Sequence, residues 1–153
     1  MPMRGERTPR AWLATPFSEM HARFSPDGRW VAYTSDESGQ REVYAQGFPG
    51  PGPKVQISTA GGGQPMWGPG GRELLYMTTD GTLMSVLLPD GPGRPALPAE
   101  LFRSNPHQTI RSDSRNEYLL SPDGQRILVV TVEKMDESLT TVILNWKQGS
   151  VVR

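Results

Sequence analysis

Short apolar runs alternate with Gly- and Pro-rich turns along the chain, and one turn recurs. Ser25-Pro26-Asp27-Gly28 returns as Ser121-Pro122-Asp123-Gly124 and, degraded, as Gly68-Pro69-Gly70-Gly71. Each copy lies between an aromatic or leucine residue and a short hydrophobic segment. Aligning Phe24, Trp67 and Leu120, which precede the turns, brings Val31, Leu74 and Ile127 into one column and Tyr33, Tyr76 and Val129 into another. The steps are 43 and 53 residues, the longer one absorbing two insertions, Pro89 to Pro98 and the polar run Ser104 to Asn116. Each unit reads as four strands. The first has 22–24, 29–35, 42–46 and 54–58, the second 65–67, 73–79, 82–88 and 99–102, and the third 117–120, 126–132 and 139–146 without an outer strand.

The turn chemistry explains the pattern. Pro at the second position of a type I turn presets φ, Asp bonds its own turn backbone, and Gly accepts the left-handed conformation that closes a hairpin. Second strands such as Ile127-Leu128-Val129-Val130 are continuously apolar, as expected of strands covered on both faces. Helix is disfavoured because almost every stretch beyond ten residues contains Gly or Pro, and the exception, Gln125 to Gln148, is rich in β-branched residues. A period in the forties with several strands per unit is that of propeller blades. The predicted fold class is therefore all-β: a partial β-propeller of three four-stranded blades, at about 22–58, 65–102 and 117–146, with the third incomplete. Residues 1–10 are expected as a disordered leader and 11–15, with Trp12 and Leu13, as the outer strand of a preceding blade.

Composition narrows the function classes. Of 153 residues only 35% are hydrophobic, and 17 Gly and 15 Pro suit short strands joined by tight loops. Sixteen basic and sixteen acidic residues cancel, so no net field steers the chain to nucleic acid or an anionic membrane, and neither is an expected partner. The absence of Cys excludes disulfides, thiolate metal sites and a cysteine nucleophile. No segment approaches the roughly 18 apolar residues of a spanning helix, and the residues after the basic start stop short of a signal-peptide core.

The run from Ala22-Arg23-Phe24 through the first turn to Val31-Ala32-Tyr33, then Glu42-Val43-Tyr44, Gln64-Pro65-Met66-Trp67 and Thr141-Val142-Ile143-Leu144-Asn145-Trp146 resemble the WD-like propeller repeats of the Pro-Asp type. These are the TolB-like repeats, also found in the C-terminal propellers of bacterial serine/threonine kinases. The resemblance runs from about Trp12 to Trp146, and the second turn departs from it by placing Gly68 and Gly70 where the others have Ser and Asp. It implies a non-catalytic protein-binding or ligand-sensing module of a larger bacterial protein, with a periplasmic or extracytoplasmic parent allowed. It also leaves open the sensor part of a kinase or the remnant of a prolyl-oligopeptidase-like peptidase. Any catalysis would then belong to another domain.

Closed propellers need roughly four to eight blades, and three leave strand edges open. The first expectation is that the chain is the C-terminal piece of a longer protein. The alternative is an obligate homodimer, two copies closing a six-bladed ring with each lending its Trp12 strand to the unfinished third blade of the other.

No Gly-x-Ser-x-Gly elbow, phosphate-binding loop or kinase catalytic motif is present. His21 and His107 are the only histidines and lack ligand spacing; Asp113 and Asn116 do not complete a calcium loop. No catalytic residue, cofactor or metal site is expected. Asp27 and Asp123 read as turn residues, and Trp30, Trp67 and Trp146 as packing between blades. Arg23 differs, because a charge on an inner strand faces the channel and needs a partner or ligand.

In propellers of the family it resembles, the links between blades and the loops between second and third strands share one face. That face would carry 15–21, 36–41, 59–64, 80–81, 104–116 and 133–138, with more carboxylates than cations, and suits a basic partner segment or polar ligand. The candidate partner-binding residues are Glu19, His21, Arg23, Asp36, Glu37, Arg41, Asp80, Arg111, Asp113 and Glu133. The loop 104–116 could fold over the channel mouth, and the opposite loops, Gly47 to Pro53 and Pro89 to Pro98, read as stiff spacers.

Overall fold

Tight turns between apolar runs leave each run only its neighbours in sequence to pair with, and the chain folds into three antiparallel sheets in sequence order. The computed structural model describes residues 10–50, 52–89, 93–103, 117–134 and 137–144, which form strands and no helix. The first sheet orders β1 (Glu19–Phe24), β2 (Trp30–Ser35), β3 (Glu42–Gly47) and β4 (Lys54–Gln56). The second orders β5 (Gly63–Trp67), β6 (Glu73–Met77), β7 (Thr82–Leu87) and β8 (Ala99–Arg103). The third joins β9 (Tyr118–Leu120), β10 (Arg126–Lys134) and β11 (Glu137–Leu144). This is a partial β-propeller of three blades, and among the described residues the third has no outer strand.

Two expectations are corrected. Glu133 to Ser138 does not form a loop: Lys134 pairs with Glu137 and Val132 with Ser138, so both strands run almost to the corner, carried by the β-branched run Val130-Thr131-Val132. Residues 11–15 form no strand. Trp12 and Leu13 instead pack on the first sheet against Val31, Tyr33, Tyr44 and Phe48. Trp12 lies directly over Gly50, where any Cβ would collide with the indole. The expected leader lies outside the described residues except for Arg10.

The repeated turns are built alike. In the first, Ser25 N–H bonds Trp30 O, Gly28 N–H bonds Ser25 O, and the Ser25 hydroxyl donates to Asp27 at 2.6 Å. Gly28 adopts φ 70°, which only glycine takes without strain. The third turn repeats every one of these bonds with Ser121, Asp123 and Gly124. The second keeps the backbone pair, Gly68 N–H to Glu73 O and Gly71 N–H to Gly68 O, and lacks the Ser and Asp side chains that brace the other two.

The core lies between the sheets. Ala32, Val43, Ala45, Val55 and Ile57 of the first blade meet Trp67, Leu74, Tyr76, Met84, Val86 and Leu88 of the second. Met66, Leu75, Met77, Leu83, Leu101 and Phe102 of the second meet Tyr118, Leu120, Ile127 and Val129 of the third. Of the aligned columns, Leu74, Tyr76, Ile127 and Val129 fall in these seams, whereas Val31 and Tyr33 lie under Trp12 and Leu13, and β2 and β6 are buried on both faces. Each fully buried aliphatic side chain contributes about 1.5–3 kcal/mol, so the stability lies in the seams.

Candidate functional site

One end of the blades carries the β2–β3 loop, the β6–β7 turn and the links entering β1 and β5. Glu19 opens β1 opposite Ser35. Its carboxylate accepts the Thr15 hydroxyl, and Asp36 accepts Ser18 N–H at 2.9 Å. The link into the blade and the hairpin beside it are thereby tied, with both carboxylates half-buried.

Glu37 pairs with Lys54 of β4, whose ammonium sits 4.8 Å from the Tyr44 ring centroid. Burial pushes the Lys54 ammonium down, but Glu37 and the Tyr33 hydroxyl outweigh it and hold it above the ordinary lysine range. In the next blade Asp80 accepts the Thr78 hydroxyl at 2.5 Å and Thr82 N–H at 3.3 Å, with Arg103 of β8 at 3.5 Å. These contacts, Thr78 foremost, hold its carboxyl below the usual range. Thr78-Thr79-Asp80-Gly81 is thus a one-residue-shorter relative of the Ser-Pro-Asp-Gly turn, without proline and at the other end of the blade. Outer-strand cations offset part of the acidic excess expected here.

His21 sits in a β-bulge of β1 at φ 57° and is half-buried. Arg23 is exposed on the same strand, its guanidinium 3.3 Å from Ala22 O, and its charge acts on Tyr118 of the third blade against the burial that raises that hydroxyl. Arg41 is exposed before β3, and its carbonyl accepts Gly62 N–H. Glu133 belongs to β10, whereas Arg111, Asp113 and the 104–116 loop lie outside the described residues. The structure therefore gathers Glu19, Asp36 and Glu37 at one corner and places Asp80 one blade on.

Two positioning residues escaped the sequence. Glu42, 1% exposed, accepts Gly61 N–H at 2.9 Å, the Gln40 amide at 2.6 Å and the Ser58 hydroxyl, pinning the link between the first two blades. Gln64, at φ 55°, accepts Glu117 N–H through its side chain and the Tyr118 hydroxyl through its carbonyl, both at 2.7 Å, fastening the third blade to the second. The signal was the repeat itself: His21, Gln64 and Glu117 stand 43 and 53 residues apart, the steps of the turns. Among the described residues no three His, Asp or Glu side chains converge to hold a metal ion.

The opposite end holds a shallow cleft of about 160 Å³ between the first two turns, lined by Asp27, Arg29, Trp30, Trp67, Arg72 and Leu88. Asp27 is fully engaged there by Ser25 and Arg29, which hold its carboxyl far below the usual range.

No family model matches the sequence, and no relative among curated proteins matches it. Solved structures do. An oligogalacturonate lyase of Vibrio parahaemolyticus superposes with a TM-score of 0.64 at 14% identity, over 84% of this chain and 37% of its own. A TolB-type protein of Agrobacterium tumefaciens gives 0.61 at 14%, over 86% and 47%. The Swd1 β-propeller domain of Myceliophteria thermophila gives 0.58 at 14%, over 90% and 40%. The chain thus has the fold of these β-propellers and spans less than half the length of each.

Proposed function

We propose that the chain is a non-catalytic protein-binding propeller module that receives a basic peptide segment at the corner formed by Glu19 and Asp36. The observation that carries this reading is the holding of two half-buried carboxylates by donors from the adjoining link, the Thr15 hydroxyl and the Ser18 N–H. Carboxylates fixed in this way lose little entropy on meeting a cationic side chain, and a rigid sheet behind a loop cluster is the usual setting for recognition. Glu37 and Asp80 contribute less, being already paired with Lys54 and Arg103. Lyase activity belongs to two of the similar structures, and an identity of 12–14% carries the fold and not that chemistry to this chain.

The test is a titration with a fluorescein-labelled Lys-Arg-Lys peptide. Binding should weaken as salt is added, and the Glu19→Gln, Asp36→Asn double variant, which keeps the hydrogen bonds but loses the charge, should bind about tenfold more weakly. A wild-type protein indifferent to the peptide at low salt overturns the reading.

A further inference from the structure

The two seams inside the chain are templates for its two end faces. Phe24 occupies the column of Trp67 and Leu120, yet Phe24 is 59% exposed while Trp67, seated on the first blade, is 8% exposed. At the other end Leu119 and its register partner Leu128 occupy the column positions of Met66 and Leu75, which pack into the second seam, yet Leu119 is 47% exposed. One end thus presents the entering half of a seam and the other end the receiving half.

The segment around Trp12 shows how such a seam is completed. Trp12 stands 43 residues before Val55, and it packs on the first blade as Val55 of β4 packs on the second. It occupies an outer-strand position on the outward face of the first blade. β11 supplies the matching deficit: β3 and β7 are each flanked by an outer strand, but β11 has only β10 beside it among the described residues. Its Ser138-Leu139-Thr140-Thr141-Val142-Ile143-Leu144 run carries neither charge nor proline, unlike β4 with Lys54 and β8 with Glu100 and Arg103. Natural edge strands are blunted by charge and shortness, and this one is built like an interior strand.

We propose that a second copy of this chain covers both faces, the third blade of each copy seating against the first blade of the other in a six-bladed ring with a twofold axis along its channel. The Trp12 segment of each copy then lies beside β11 of the other. One occupant satisfies all three open features, and the relation closes after two copies because both seams are used. The association needs nothing from the Glu19 and Asp36 corner, so the two proposals fail separately.

The test is light scattering coupled to size exclusion at micromolar concentration, on the wild type and on the Phe24→Asp and Leu128→Asp variants. The wild type should show twice 16.9 kDa. Each variant, burying a carboxylate in both seams, should associate about a hundredfold more weakly. An equal mixture of the two variants should regain the doubled mass, because one of its two seams is then wild type on both sides. If either variant loses its strand circular dichroism, Phe24→Ser and Leu119→Ser replace the pair. A wild-type mass of 16.9 kDa, the outcome expected if further blades of a longer chain cover these faces, overturns the proposal, as does a mixture that stays monomeric.

Discussion

The inner seams and the end faces share columns of residues, and positions that a neighbouring blade covers inside the chain are partly bare at its ends, save where the Trp12 segment covers Val31 and Tyr33. Trp67, seated on the first blade, is 8% exposed whereas Phe24 at the equivalent position is 59% exposed, and Leu119 is 47% exposed where Met66 packs into the second seam. A blade here is therefore not a unit of stability. Each sheet has two apolar faces and buries them only against another blade, which is the logic of repeat proteins generally.

The largest effect expected from this contrast is in the seams. Leu75→Ala should cost about 2–5 kcal/mol in chemical denaturation, since it opens a cavity between rigid sheets. Leu119→Ala, measured in the Phe24→Asp background where the end face stays open, should cost under about 1 kcal/mol. Equal losses would mean that the end face is already packed. Next comes Glu42→Ala, which strands Gly61 N–H and the Ser58 hydroxyl and should cost about 1–3 kcal/mol, with faster proteolysis at residues 59–62 as its local signature. Glu19→Gln should leave the unfolding midpoint almost unchanged.

The turns give a smaller contrast. Gly71→Ala should lower stability by about 1 kcal/mol because its φ of 68° is strained for any other residue. Gly70→Asp has open space around its new Cβ and restores the carboxylate of the other two turns, so the melting temperature should rise slightly. Acid titration completes the series. Asp27, Asp80 and Asp123 all have folded carboxyls below the ordinary range, so their contribution is present above the unfolded value near pH 4 and lost as pH falls below it. Asp27→Asn should flatten the acid limb of a melting-temperature profile, and an unchanged limb would show that the turn carboxylates carry none of it.

Much of the fold could be read from sequence because turn and column repeat together. Three instances of one turn set the phase, and the apolar columns then located the strands of each blade. The β10–β11 corner was misplaced because Glu133, Lys134, Asp136 and Glu137 read as solvent-loving loop, while strand pairing held the backbone nearly to the tip. The candidate site was less legible. Glu19, Asp36 and Glu37 do gather at one corner, but the Lys54 and Arg103 partners come from outer strands distant in sequence, and only the folded sheet brings them to the hairpins. Asp80, a candidate partner-binding residue, is engaged by Thr78, Thr82 and Arg103 in a turn without the proline that marks the others. Glu42 opens the third strand, and its burial follows from a link that folds back over it through Gly61.

The most direct measurement is amide hydrogen exchange, strand by strand, on the associated wild type and on the Phe24→Asp variant. If end faces are seams, β2, β6 and β10 should be comparably protected in the wild type. The variant should lose protection in β10 while β2 and β6, buried on both faces within one chain, keep it. Protection that is already low in β10 of the wild type, or that falls equally in β6, would contradict the account.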